Sequence, residues 1–273
     1  MALQMKVYVH EGYEFLEFVL QVDDYPRLGT TALRESALME AQIDAGFCLI
    51  QDLVGTVQDL GVKLIRERRG KVKESDRFDV RATMLWIEQQ QFLMEAFLTR
   101  YVDNYLAYVS GLLFEIYTQR PETLKTQEKI EIEFVLSHGT MSELVQGIAE
   151  RRVAAVSYRS FEDLVDYFAE AFKLELVEPA LLPVVVEAIE TRNLSVHNRC
   201  VINDRYLKRT KQSLTLLGTR RDVRLKQVLE ISRVLSASCR RVDALARKKL
   251  RLRGRRFVVE QPERMGRESP RQY

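Results

Sequence analysis

From about Asp79 to Gln119 the chain sustains a single helical pattern, ended by Pro121. It carries Leu85, Trp86, Phe92, Leu93, Phe97, Tyr101, Tyr105, Tyr108, Leu112, Phe114 and Tyr117. An apolar, aromatic stripe of that length needs other helices to cover it. A helix–helix core accounts for it more economically than a cofactor box. Few breakers interrupt the chain, with 12 Gly and 6 Pro in 273 residues, which favours helices over turn-rich β architecture. The length allows one large domain or two small ones, with room for a substantial core.

The other segments fit around that helix. Residues 3–22 read as a β-hairpin: Leu3, Met5, Val7 and Val9 alternate with polar neighbours, His10-Glu11-Gly12 makes a turn, and Phe15, Phe18, Leu20 and Val22 return. Asp23 to Gly29 is a loop, and Thr30 or Thr31 offers an N-cap with Glu35 nearby. A helix then runs to about residue 66, with Leu38, Phe47, Ile50, Leu53, Val54, Val57, Leu60 and Leu64 as its buried stripe. Arg66 to Asp79 is a charged, solvated connector. Beyond Pro121 come short helices: one opening at Ser142 and closing at Arg151-Arg152, and one capped by Ser160 with Asp163 three residues on. Pro179 opens the next, whose stripe is Leu182, Val185, Val186, Ile189, Asn193 and Val196. Asn203 caps a short helix, Leu214 to Gly218 is a break, and a last helix runs from about Thr219 to Arg251, with Val223, Val228, Ile231, Val234, Leu235 and Leu245 on its apolar face. The expected class is all-α with a small N-terminal hairpin. Its expected parts are hairpin plus long helix (1–78), a helical domain (79–250) and a basic, flexible tail (251–273).

Composition excludes several function classes. No run approaches the roughly 18 apolar residues of a membrane span. The N-terminus lacks a signal peptide's basic start and apolar run, so the protein reads as cytoplasmic. Cys48, Cys200 and Cys239 are odd in number and far apart, which supports neither a disulfide framework nor a zinc site. The net charge of +3 hides an asymmetry. From Arg220 to Tyr273 there are 17 Lys+Arg against 6 Asp+Glu, a surplus of +11; the rest carries 25 against 33, or −8. A basic end on a mildly acidic body suits contact with nucleic acid or an acidic partner.

The densest chemistry lies in Glu190 to Arg199, at the end of a helical pattern. Arginine brings a fixed cation with a planar donor fork, and histidine is the only side chain whose unperturbed pKa lies near neutrality. Asn193 stands four residues before His197, so the two share a helix face. Arg192, five residues before, is offset but long enough to reach the same spot. Asn193 is also the one polar member of its apolar stripe, and such a residue has to find a hydrogen-bond partner. Cation, amide and imidazole together can hold a phosphate and move a proton. Cys200, three residues after His197, raises a Cys/His nucleophile pair, although small buried cysteines are common in cores. Alternatively, Arg192 pairs with Glu187 or Glu190 and His197 merely packs at the helix end. His10 reads as a strand-end surface residue and His138 as a loop histidine.

Arg192-Asn193-Leu194-Ser195-Val196-His197-Asn198 resembles the signature of the HEPN superfamily (higher eukaryotes and prokaryotes nucleotide-binding): Arg, a polar residue, three variable residues, His and often Asn. The Val201-Ile202-Asn203-Asp204-Arg205-Tyr206-Leu207 continuation, the aromatic helix ending in Arg120-Pro121-Glu122-Thr123-Leu124-Lys125, and Val156-Ser157-Tyr158-Arg159-Ser160 extend the likeness over about residues 80 to 240. It is similar to that superfamily's larger, defence-associated branch. The resemblance implies a helical bundle that pairs across a two-fold axis, where motifs of both protomers form one cleft that cuts RNA without a metal or cofactor. It assigns the catalytic roles to Arg192, Asn193 and His197, with Asn198 and Arg199 beside the substrate. It also implies a toxin or antiviral defence setting with a regulatory, antitoxin-like partner. Members without nuclease activity exist, so a helical adaptor that binds RNA or protein is the alternative. In either case Arg240, Arg241, Arg247, Lys248, Lys249, Arg251, Arg253, Arg255 and Arg256 are candidates to neutralise phosphates, giving salt-dependent binding.

Overall fold

The computed structural model describes residues 3–10, 13–20, 28–67, 74–124 and 129–256, with side chains over 28–50, 89–124 and 129–255. The fold is all-α, with a hairpin ahead of the helices. β1 (Leu3–His10) and β2 (Tyr13–Leu20) pair antiparallel with His10 opposite Tyr13. β3 (Leu28–Gly29) leads into α1 (Thr31–Glu67), followed by α2 (Glu74–Gln119), α3 (Ile132–Leu136), α4 (Met141–Ser157), α5 (Phe161–Phe172), α6 (Leu182–Asn198), α7 (Asp204–Thr210), α8 (Leu225–Leu250) and β4 (Arg255–Arg256).

The aromatic helix is the axis of the molecule. From Met94 to Tyr117, α2 buries residues around most of its circumference, including Leu98, Tyr101, Val102, Tyr105, Tyr108, Val109, Leu112, Leu113 and Ile116. Such a helix requires cover on several sides, and α1, α4, α6 and α8 supply it. Its tyrosines keep their hydroxyls satisfied: Tyr108 donates to the Cys239 carbonyl at 2.9 Å, Tyr105 meets Ser238 at 3.4 Å, and Tyr117 meets Tyr167 at 2.5 Å. Phe92 departs from the expected stripe and is exposed.

α1 runs antiparallel to α2, with Phe47 edge-on to Phe97 at 4.7 Å and Tyr101 donating to Asp44 at 2.5 Å. Its buried face is Leu33, Ala37, Ala41, Ile43 and Phe47, whereas Leu38 points to solvent. The side chains of Leu53, Val54, Val57, Leu60, Leu64, Leu85, Trp86, His10 and Arg256, residues 68–73 of the charged connector, and residues 257–273 lie outside the described residues. The first turn of α1 is held by its own cap and by two distant parts of the chain. Thr30 accepts from the Leu33 amide at 3.1 Å as N-cap, Glu115 accepts from the Ala32 amide at 2.7 Å, and buried Asp243 of α8 accepts from the Thr30 amide at 3.2 Å and from its hydroxyl.

Local caps decide several boundaries. The Ser160/Asp163 capping box starts α5, and Asn203 caps α7 by accepting from the Tyr206 amide at 2.9 Å. For α4 the capping box is Thr140/Glu143, so the helix begins one residue before Ser142 and continues past Arg152 to Ser157. α6 starts at Leu182 with Pro183 in its first turn, a position that needs no amide. α8 starts at Leu225 rather than Thr219, because residues near 218–221 pair with 200–202 instead: Gly218 N donates to Ile202 O and Ile202 N to Thr219 O, both at 2.9 Å.

The chain beyond α8 folds back onto the body. Leu252 is buried, Arg253 N donates to Gln119 at 2.7 Å, and Arg255 and Arg256 pair with Gly29 and Leu28. Among the described residues, no helix is long and apolar enough to cross a membrane.

Candidate functional site

The site residues sit on the last turns of α6, where the helix leaves the core. Earlier in α6, Val185, Val186, Ala188, Ile189, Glu190, Thr191 and Leu194 are buried. The buried polar pair is therefore Glu190 and Thr191. Asn193 is half-buried and Val196 is 50% exposed, so the expected stripe does not persist to the helix end. The polar residues bury on the face that meets α7, which carries their partners.

Those partners come from the segment after the motif. Glu190 takes Arg209 at 3.3 Å and Arg205 at 3.5 Å, and Arg209 also reaches Glu162 of α5. Glu187 accepts from Arg221 at 2.9 Å and from Tyr206 at 3.3 Å. Burial pushes the Tyr206 phenol up. Burial works against the charge on Arg221, but Tyr206 and Glu187 outweigh it and hold its pKa above the ordinary value. Both acids expected as alternatives for Arg192 are thus occupied by other arginines.

Arg192 turns instead to α2. Its Nε donates to Asp103 Oδ1 at 2.8 Å, and one terminal nitrogen donates to Asn193 Oδ1 at 3.2 Å. The pair is partly exposed, at 26% for Arg192 and 33% for Asp103. His197 is exposed at the end of the helix and makes no hydrogen bond or ion pair among the described residues, whereas His138 bonds the Phe134 carbonyl at 2.7 Å through Nδ1. Asn198 uses its amide on the Val201 carbonyl at 2.5 Å, and Arg199 is exposed.

Past the motif the backbone turns through two successive left-handed residues, Arg199 at φ 51° and Cys200 at φ 58°. A left-handed residue is a common helix terminator when it is glycine; in side-chain-bearing residues each costs on the order of 1–3 kcal/mol and persists only where its surroundings impose it. Here they do. Cys200 N donates to Leu194 O at 3.0 Å, Arg221 N to Cys200 O at 2.8 Å, and Val201 N to Asn198 O at 2.9 Å. The Cys200 thiol is buried against Glu95 and Ser195; burial first, then the Glu95 charge, pushes it up to about 12. That removes the Cys/His nucleophile pair, because the reactive species is the thiolate. Cys239, also buried, is pushed well up by the same cause. Iodoacetamide at neutral pH is expected to leave Cys200 and Cys239 unmodified in the folded protein and to label both in denaturant, as read by peptide mass spectrometry.

The basic residues near the end of α8 divide into two groups. Arg247 is paired with fully buried Asp243 at 2.8 Å, Lys249 donates to the Lys173 carbonyl at 2.6 Å, Arg241 pairs with Glu175 at 2.8 Å, and Arg240 lies 3.8 Å from Glu40. Lys248, Arg251, Arg253 and Arg255 are exposed. A cleft of about 190 Å³ lies along α6 between Leu98, Glu187, Thr191, Arg221, Gln227 and Glu230; neither Arg192 nor His197 lines it. No group of three or more His, Cys, Asp or Glu among the described residues could hold a metal ion.

Asp103 and the arginines that secure Glu187 and Glu190 were not foreseen from sequence. The Arg192 partner lies 89 positions away, and no local spacing signals it. In comparisons with known proteins, no family model, no curated protein and no solved structure matches this chain.

Proposed function

We propose that this chain is a metal-independent endoribonuclease of the HEPN type, acting as a homodimer in a toxin or antiviral defence setting. One observation carries the reading: near the end of α6 Arg192 is held by Asp103 and Asn193, and His197, one turn past Asn193, presents an exposed imidazole. RNA supplies its own nucleophile. The ribose 2′-hydroxyl attacks the adjacent phosphorus while a base takes its proton; the P–O5′ bond breaks and an acid protonates the departing oxygen. The products are a 2′,3′-cyclic phosphate and a 5′-hydroxyl, with no oxidant, reductant or water consumed. His197 suits the proton transfers, and Arg192 suits the charge that develops on the phosphoryl oxygens. One such histidine per protomer becomes an acid and a base when a two-fold brings two copies together.

A second reading keeps the chain as a non-catalytic adaptor that binds RNA or a defence partner. The engagement of Arg192 by Asp103 and of Asn198 by the Val201 carbonyl favours it, since both serve the fold without a substrate. Exposed Lys248, Arg251, Arg253 and Arg255 would then carry salt-dependent phosphate contact. Incubating purified protein with a mixed RNA pool in EDTA separates the two. Fragments with cyclic phosphate ends are expected for the enzyme; retained, uncut RNA points to the adaptor.

A further inference from the structure

The geometry points to Asp103 as the residue that positions Arg192 for phosphate, an inference that rests on the ribonuclease reading. Asp103 Oδ1 accepts the Nε–H at 2.8 Å, and Asn193 Oδ1 takes one hydrogen of a terminal nitrogen at 3.2 Å. These two contacts hold the planar cation at its Nε–H and at one terminal nitrogen. The remaining terminal N–H donors meet no acceptor among the described residues, and they form the part of the fork that matches phosphate oxygens.

Asp103 is suited to the task by where it is mounted. It follows Tyr101 and Val102, both buried, on the central helix that four other helices pack against. α6 brings the arginine and α2 brings its anchor, so the guanidinium is fixed by two packed elements rather than by its own flexible stem. Sites built on rigid elements hold reacting groups more precisely than sites on loops. An unanchored arginine has to order itself each time a phosphate arrives.

The carboxylate carries an opposing effect that makes the role testable. A negative charge beside Arg192 reduces its attraction for phosphate, so Asp103 contributes orientation at the expense of binding strength. Asp103→Asn keeps the size and one acceptor oxygen while removing the charge. In the full-length protein it is expected to lower kcat for RNA cleavage by about 10- to 100-fold, as loss of alignment does, with KM unchanged or lowered. A residue that only supported the fold would lower the melting temperature and the yield of active enzyme without that split. In an Arg192→Ala background, Asp103→Asn is expected to change kcat no further, because the two act as one unit.

A kcat equal to wild type, a rise in KM as the main effect, or an equal fall in the Arg192→Ala background overturns the assignment. A readout independent of catalysis keeps the two proposals distinguishable. The ¹⁵N-labelled side-chain Nε–H resonance of Arg192 is expected to exchange slowly with solvent in wild type and at least tenfold faster in Asp103→Asn. Equal exchange in both proteins overturns the inference even where RNA is cut. Slow exchange in wild type that is lost in the variant, combined with no RNA cleavage at all, upholds the anchor and sinks the ribonuclease reading instead.

Discussion

His197→Ala is expected to slow RNA cleavage by about 10²- to 10⁴-fold, the usual contribution of a positioned acid–base group, while leaving the fold intact. The side chain is exposed and makes no hydrogen bond or ion pair among the described residues, and substitutions in such places usually change stability by less than about 0.5 kcal/mol. Single-turnover cleavage of a defined RNA, with a thermal melt of the same sample, measures both quantities. On the proposed two-fold site, adding excess His197→Ala protein to wild type should depress the wild-type rate through mixed dimers. Cleavage by the variant at the wild-type rate would remove His197 from the chemistry altogether. Arg192→Ala should also be slow, but it additionally strands Asp103, so its melt is the less clean control.

Asp243→Ala is expected to give the largest loss of stability. Asp243 is fully buried and accepts from three donors: the Thr30 amide at 3.2 Å, the Thr30 hydroxyl and Arg247 Nε at 2.8 Å. Alanine would leave a half-buried cation and a buried amide and hydroxyl without their acceptor at the junction of α1 and α8. Removing one partner of a buried pair typically costs about 3–5 kcal/mol, which for a chain of this size corresponds to a fall of about 10 °C in Tm. Urea denaturation read by circular dichroism measures it. A loss below about 1 kcal/mol would mean that water reaches Thr30 and Arg247 and replaces the carboxylate.

Much of the helical framework could be read from local chemistry, because caps and breakers act within a few residues. Ser160 with Asp163, Asn203 before α7, and Pro121 after α2 are such signals, and each lies at a boundary in the structure. Burial around a helix was less legible. Asn193 was expected on a buried face, yet Glu190 and Thr191 are the buried polar residues. Periodicity reveals one stripe, but α6 is covered by three helices, α2, α7 and α8. Leu38 of α1 and Phe92 of α2 were misplaced for a related reason: hydrophobicity says that a residue can be buried, and only the neighbouring helix decides whether it is. The ion pairs were beyond reach from sequence. Arg192 had two acids within five residues and took neither, because Arg205, Arg209 and Arg221 had already claimed them.

One helix, α2, bears both the anchor of Arg192 and the acceptor that holds the segment after α8. Asp103 meets Arg192, and Gln119 accepts the Arg253 amide. At 1.5 Å per residue these two positions stand about 24 Å apart along one rod. That length is a ruler built into the protein. A ligand that touches both the motif and the basic segment has to reach across it, and one too short to do so can occupy only one end.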